Sequence, residues 1–267
     1  MKRTLTFVYA GVLVVVLAVG FILWLNSDGE PSRTVQYGKE VERKKMEQTL
    51  TKDATGPKKN APSVKVETKH PASIMLDAPL INQNPELDNG CEATSLTMLL
   101  QYAGVSVDKM EVARAMPKDK TPLKRDRNGK IVYWGNPNSG FVGDVTGKNP
   151  GYAIYHGPLY MFTRFYLKTA VDLTNSPYKK LEQKLAQKKP VLVWTTNHYD
   201  VPRVWQQWDT PSGPIRTTRE EHAVLLVGYD SKYVYVNDPL SYRKQQRIDK
   251  NKFKRGWQAL GRQAISY

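Results

Sequence analysis

The first pattern along the chain is an apolar run from Leu5 to Leu25, preceded by Lys2 and Arg3. Wound as a helix, its 21 residues reach about 31 Å, enough to cross a hydrocarbon layer of roughly 30 Å. Positive charge ahead of the run favours an N-terminus inside, although Arg33, Lys39 and Arg43 to Lys45 beyond it weaken the asymmetry. A cleaved signal peptide has a shorter apolar region and a small-x-small exit, whereas this run leaves through Phe21 to Leu25. The expectation is an uncleaved transmembrane signal-anchor over 1–25. Residues 26–70 are polar, rich in Lys, Glu, Thr and Pro, with scattered aliphatics that cannot form a core, and read as a flexible stalk. Residues 71–267 are then about one domain's worth of chain.

Within that domain the hydrophobic period changes. In CEATSLTMLLQYAG, Leu96, Leu99, Leu100 and Ala103 follow the i, i+3, i+4, i+7 stripe, and Gly104 supplies the residue after the helix, so Cys91 opens a helix. Asp108 is an N-cap candidate for a second helix that stops at Pro117. Residues 118–157 are dominated by Gly, Asn, Pro and Asp and predict a long loop with little regular structure. A helix over 158–168 follows, then one capped at Ser176-Pro177 and ending near Lys188. From there the period becomes that of strands: PVLVWTT, HAVLLVGYD and YVYVN, the last two joined by the tight turn Asp230-Ser231-Lys232 into a hairpin. Asp249 caps a closing helix through Phe253 and Trp257, and 263–267 add a final strand. Helices first and an antiparallel sheet second predict an α+β fold.

Composition narrows the chemistry. A single Cys excludes a disulfide scaffold and any thiolate knuckle needing two sulfurs. The net charge of +15 suits a nucleic acid, an anionic lipid surface or an anionic cell wall. No basic recognition helix or aromatic-basic sheet motif is present, so no nucleic-acid partner is expected, and the anchor favours the lipid surface and the wall.

A Cys at a helix start faces unpaired N–H groups and the positive end of the helix dipole, which favour thiolate. Cys91 is thus a candidate nucleophile, although a lone Cys is more often a small buried hydrophobe. His222 opens an otherwise apolar strand and is placed to act as general base; His198 and His156 compete from polar, loop-like settings. Hairpin geometry sets Asp238, at the end of the next strand, beside His222, where a carboxylate orients the imidazole. Asn237 takes that place if the register slips by one. Gln83, eight residues before Cys91, has a side-chain amide that together with the Cys91 N–H can receive an oxyanion. The order Gln, Cys, His, Asp describes one acyl-transfer site, for which neither metal nor organic cofactor is needed.

The stretches INQNPELDNGCEATSLTMLLQYAG, PVLVWTT, HAVLLVGYD and YVYVNDP resemble the stand-alone relatives of bacteriocin-processing cysteine peptidases, which form cysteine peptidase family thirty-nine. The resemblance covers about 78–267. It implies a papain-like cysteine peptidase fold, with a helical lobe carrying the Cys packed on an antiparallel sheet carrying the His and Asp. By that likeness Cys91 is the nucleophile, His222 the base and acid, Asp238 the orienting residue and Gln83 the oxyanion donor. Two departures restrict the likeness. The bacteriocin processors usually precede transporter domains, and they carry an acidic residue, Cys, Gly pattern where this chain has NGCEATS; cleavage of double-glycine leaders is therefore not carried over.

The resulting expectation is a bacterial, membrane-anchored cysteine peptidase with its catalytic domain outside the cytoplasm, acting on a protein or peptide and facing an anionic wall. A papain-like amidase cutting cell-wall peptides and an inert peptide-binding module are the other readings. The loops over 118–157, with Trp134 and Phe141, and 197–218, with Trp205 and Trp208, are candidate borders of the cleft.

Overall fold

The computed structural model describes residues 71–267. The segments expected as anchor (1–25) and stalk (26–70) lie outside the described residues, and among the described residues no helix is long and apolar enough to cross a membrane.

The centre of the fold is an antiparallel sheet built on two strands, β7 (Val191–Thr196) and β10 (Glu221–Tyr229). Every residue of β7 is buried, and all of β10 after Glu221. Strand side chains alternate between faces, so a fully buried strand needs cover on both. That cover comes from α1 (Cys91–Tyr102), which packs on β10 and β7, from α4 (Tyr178–Ala186), and from α5 (Lys250–Ala259). The sheet continues from β10 to β11 (Tyr233–Asp238) and the edge strand β12 (Arg243–Asp249), and from β7 to β13 (Ala264–Ser266) and β6 (Val171–Asp172). The short β1 (Ile74–Met75) pairs with the far end of β10.

Local chemistry explains most element ends. The Asp108 carboxylate accepts the Glu111 N–H at 2.8 Å to start α2 (Lys109–Ala115), and Asp249 accepts the Lys252 N–H at 2.8 Å to start α5. Gly104, with φ of 87°, turns the chain out of α1. The hairpin turn is fixed by Asp230, whose Oδ1 accepts the N–H groups of Lys232 and Tyr233, both at 2.7 Å. Ser176 does not cap α4: Pro177 occupies the cap position with no side-chain bond, and the helix ends at Ala186, just before Lys188 turns to a φ of 61°. The helix expected over 158–168 begins earlier, as α3 (His156–Tyr166).

The two segments read as loops contain regular structure. β3 (Lys124–Arg125) and β4 (Ile131–Tyr133), from the first, join β8 (Gln206–Thr210) and β9 (Gly213–Thr217), from the second, in a four-stranded sheet. A separate pair, β2 (Lys118–Asp119) and β5 (Phe141–Val142), runs parallel. The small sheet has its own core of Ile131, Trp134, Val142, Tyr152, Ala153 and Trp208. Trp208 lies 5.6 Å from Trp134 and 5.2 Å from Tyr152 between ring centroids, and donates its indole N–H to the Gly135 carbonyl at 2.9 Å. Of the four aromatics singled out as possible cleft borders, Trp134, Phe141 and Trp208 are core residues, whereas Trp205 is half-buried, with the Arg216 guanidinium 4.2 Å over its ring.

Candidate active site

The chain approaches Cys91 through a loop held from several sides. The Gln83 N–H donates to the Pro239 carbonyl at 3.0 Å and the Asn89 N–H to the Val145 carbonyl at 3.1 Å. Lys109 Nζ donates to the carbonyls of Asn82 (2.6 Å) and Gln83 (3.1 Å) and pairs with Glu86. Gly90 sits at the helix cap because a Cβ there would lie 2.4 Å from the Leu87 Cβ. Cys91 then opens α1, which is pinned to β10 by Ser95, whose Oγ donates to the Ala223 carbonyl at 3.0 Å. The Ala223 N–H in turn faces the Cys91 sulfur. The sulfur therefore rests against the main chain one residue beyond His222.

His222 and Asp238 are in contact, Nε2 to Oδ1 at 2.8 Å, and both are buried. Asp238 also accepts the Tyr199 hydroxyl on Oδ2 at 2.6 Å, and the N–H groups of Leu240 (2.9 Å) and Ser241 (3.2 Å) on Oδ1. Burial alone would raise this carboxyl, but the His222 and Tyr199 donors outweigh it and hold Asp238 far below the usual carboxylate range. The neighbouring Asn237 pairs across from Leu225, on the other face. Its amide donates to the carbonyls of Ala78 (3.0 Å) and Pro79 (2.9 Å), and its Oδ1 accepts the Gln245 N–H. The competing histidines have carboxylates of their own: His156 Nδ1 meets Asp172 at 2.7 Å and His198 Nε2 meets Glu220 at 3.2 Å.

Gln83 is buried on the loop before Cys91, and its Nε2 donates to the Asp88 carbonyl at 2.8 Å, using one of its two hydrogens. Its Oε1 is buried with no partner.

The surroundings of the thiol differ from the sequence reading. A helix-start Cys is expected to have a lowered pKa; here burial first, and then the carboxylates of Glu92 and Glu221, push the Cys91 thiol well above its ordinary value. Among the described residues no hydrogen bond joins Cys91 to His222. Instead Cys91 Sγ donates to Glu92 Oε2 at 3.3 Å. Glu92 is fully buried, its Oε1 accepts the Ile154 N–H at 2.9 Å, and burial pushes its pKa up to about 7. Glu221, the residue before His222, offers a carboxylate oxygen that lies, with an oxygen of Glu92 and the sulfur, in a group whose members are all within 4.8 Å of one another. Burial, then the Glu92 charge, raise Glu221 well above the carboxylate range, and its Oε1 has no hydrogen-bond partner.

The sequence reading missed Glu92, Glu221 and Tyr199. Cys91, Glu92 and Glu221 form the one group among the described residues resembling a cation site. Both Glu92 oxygens already accept hydrogen bonds, so its chemistry fits protons better than a metal. The helix-start thiol, the buried His-Asp pair and the loop amide together supply the parts of a thiol acyl-transfer site.

Comparison with known proteins agrees with this architecture. Residues 75–265 match the model of the Peptidase_C39 like family. An uncharacterized protein, YvpB, of Bacillus subtilis (strain 168) is 41% identical over 193 residues, 71% of this chain and 74% of YvpB. A crystal structure described as a C39-like peptidase from Bacillus anthracis superimposes with a TM-score of 0.66 at 40% identity, over 73% of this chain and 96% of that one. With a family match extending over more than half its length, the chain belongs to the Peptidase_C39 like family, with that family's mixed α/β, papain-like peptidase fold.

Proposed function

We propose that the protein is a membrane-anchored, extracytoplasmic cysteine peptidase working through Cys91, His222, Asp238 and Gln83. The observation that carries this reading is the buried His222–Asp238 pair at 2.8 Å, on the strand whose next residue backs the Cys91 sulfur. Asp238 stays ionised throughout and favours an imidazolium on His222. In the reaction the Cys91 S–H bond breaks, its proton passes to the free nitrogen of His222, and the sulfur attacks an amide carbonyl. The remaining Gln83 N–H and the Cys91 backbone N–H stabilise the oxyanion. His222 then protonates the leaving amine, and water releases the acyl group. The apolar run over 1–25 supports the anchor, and the charge of +15 suits work beside an anionic lipid surface or wall.

The test is a substrate screen of the full chain in detergent, with a casein-like protein, a peptide mixture and purified peptidoglycan, each against the Cys91→Ser form. Cleavage of protein or peptide that the variant lacks is expected. Release of wall fragments alone would move the assignment to cell-wall peptides. Turnover of nothing, together with iodoacetamide labelling of Cys91 that His222→Ala leaves unchanged, would refute a Cys-His enzyme and leave a peptide-binding module.

A further inference from the structure

Two carboxyl groups, Glu92 fully buried and Glu221 half-buried, sit beside the candidate nucleophile, and the reaction above uses neither. Glu92 reaches the sulfur directly, at 3.3 Å, and Glu221 completes a group in which sulfur and both carboxylates are all within 4.8 Å of one another. Their surroundings hold no compensating cation. Glu92 is faced by Cys91 on its own helix, by Glu221 at the start of β10, and by Tyr152 and Tyr155 from the segment before α3, with the Ile154 N–H as its one main-chain donor from that segment. The next groups out are His222, occupied by Asp238, and Arg219, which acts on Tyr152 and lies over the Trp134 ring at 5.9 Å. Among the described residues no Lys, Arg or His pairs with either glutamate. Two carboxylates at this separation, out of water and without a counter-charge, do not both ionise, so the pair retains a proton.

We infer that Glu92 is a positioning residue whose hydrogen bond to Cys91 reverses direction with its protonation: ionised, it accepts the S–H and holds a neutral thiol; protonated, it donates O–H to the thiolate. The inference deepens the peptidase reading and rests on it, because the thiolate is formed by His222. The proton balance is closed. On the acidic side Glu92 takes a proton from water, and the Cys91 proton moves to His222, giving thiolate and imidazolium beside a neutral carboxyl. Loss of one proton from that state as pH rises leaves Glu92 charged, and the thiolate beside it takes its proton back from the His222 imidazolium, restoring thiol and neutral imidazole. Glu221, held protonated by burial and by the charge of Glu92, brings no counter-charge to Glu92. The site is therefore reactive on the acid side of neutrality and latent above it, the opposite of an ordinary thiol, whose reactivity only rises with pH.

The test is the second-order rate of Cys91 alkylation by iodoacetamide, measured from pH 5 to pH 9 on the full chain in detergent. For the wild type the rate is expected to fall about ten-fold between pH 6 and pH 8, then to recover as the thiol itself ionises. Glu92→Gln, which presents a permanent N–H donor, is expected to keep the pH 6 rate at pH 8. A wild-type rate that climbs steadily with pH overturns the inference, whether or not the variant folds, and so does a folded Glu92→Gln with the wild-type profile. The peptidase reading fails separately, by a His222→Ala profile indistinguishable from wild type. Thermal melting of each variant shows whether a lost profile is a lost fold.

Discussion

Tyr199→Phe isolates one hydrogen bond behind the candidate base. The hydroxyl is buried, donates to Asp238 Oδ2 at 2.6 Å, and has a 3.4 Å contact with Gln246 Oε1. The ring stays in place in the variant, so no cavity opens; what goes is one donor to a charged acceptor. A hydrogen bond to an ionised group contributes about 1.5–3 kcal/mol. Asp238 keeps three other donors, so the lower part of that range applies, about 1.5–2 kcal/mol. For a domain of this size, that lowers the melting temperature by about 3–8 °C. The pH dependence follows from the Asp238 carboxyl, which is depressed in the folded protein by His222 and Tyr199. A depressed carboxyl contributes stability that is complete above its unfolded value of about 3.9 and is lost as pH falls through the folded value. The unfolded carboxyl titrates alike in both proteins, so the deficit of Tyr199→Phe is constant from about pH 8 to about pH 3 and shrinks only where the folded Asp238 itself takes a proton. Differential scanning calorimetry at pH 7 and pH 3 checks both points. A melting temperature within 1 °C of wild type at pH 7, or a deficit that widens on acidification, would refute the reasoning.

Three further perturbations probe the scaffold. Asn237→Ala removes donors to the Ala78 and Pro79 carbonyls and an acceptor for the Gln245 N–H; urea unfolding is expected to show a loss of about 2–4 kcal/mol, with no change in the pH dependence of Cys91 alkylation. Gly151→Ala drives a Cβ to 2.1 Å from the Asp144 carbonyl and 2.4 Å from Asn89 Nδ2, so the loop entering Cys91 must move; the expected result is slower alkylation at pH 6 with far-ultraviolet circular dichroism unchanged. Trp208→Ala empties the small core and is expected to cost about 3–5 kcal/mol, read as a lower melting temperature and a diminished near-ultraviolet signal.

What the sequence disclosed depended on how local the cause was. The α1 stripe, the Asp108 and Asp249 caps and the Asp230 turn are each written within a few residues, and all are present. The turn position brings the two strand ends together, but the choice of Asp238 over Asn237 rests on a register shift between Leu226 and Gly228, which turns residue 238 to the His222 face and is not written in the sequence. The small sheet was not readable: its β4–β8 pairing joins Tyr133 to Asp209 in parallel, and neither three-to-five-residue strand carries an alternation long enough to identify it. β12, RKQQRID, has one buried residue, Ile248, and is a strand only because β11 offers it an edge. Glu92 was hidden for a different reason. An acidic residue in the first turn of a helix ordinarily complements the dipole from the surface, and nothing in CEATS says that this one turns inward beneath the sulfur.

The hairpin separates two sets of supports that a single face could not hold. Residues 237 and 238 are adjacent and point oppositely, so one carboxylate serves the imidazole while the amide beside it holds Ala78 and Pro79, on the segment leading to Gln83. Residue 221, next to the candidate base on the same strand, brings a second acid within 4.8 Å of the sulfur. The environments of Asp238 and Glu221 diverge: Asp238, with four donors, is held ionised, whereas Glu221, with an unpartnered oxygen, is held protonated. A charge behind the ring and a neutral acid near the sulfur both favour proton transfer from Cys91 to His222, whereas exchanging the two protonation states would oppose it. In the proposed reaction, one β-hairpin thus presents carboxyl groups in opposite ionisation states, one behind the imidazole and one beside the sulfur.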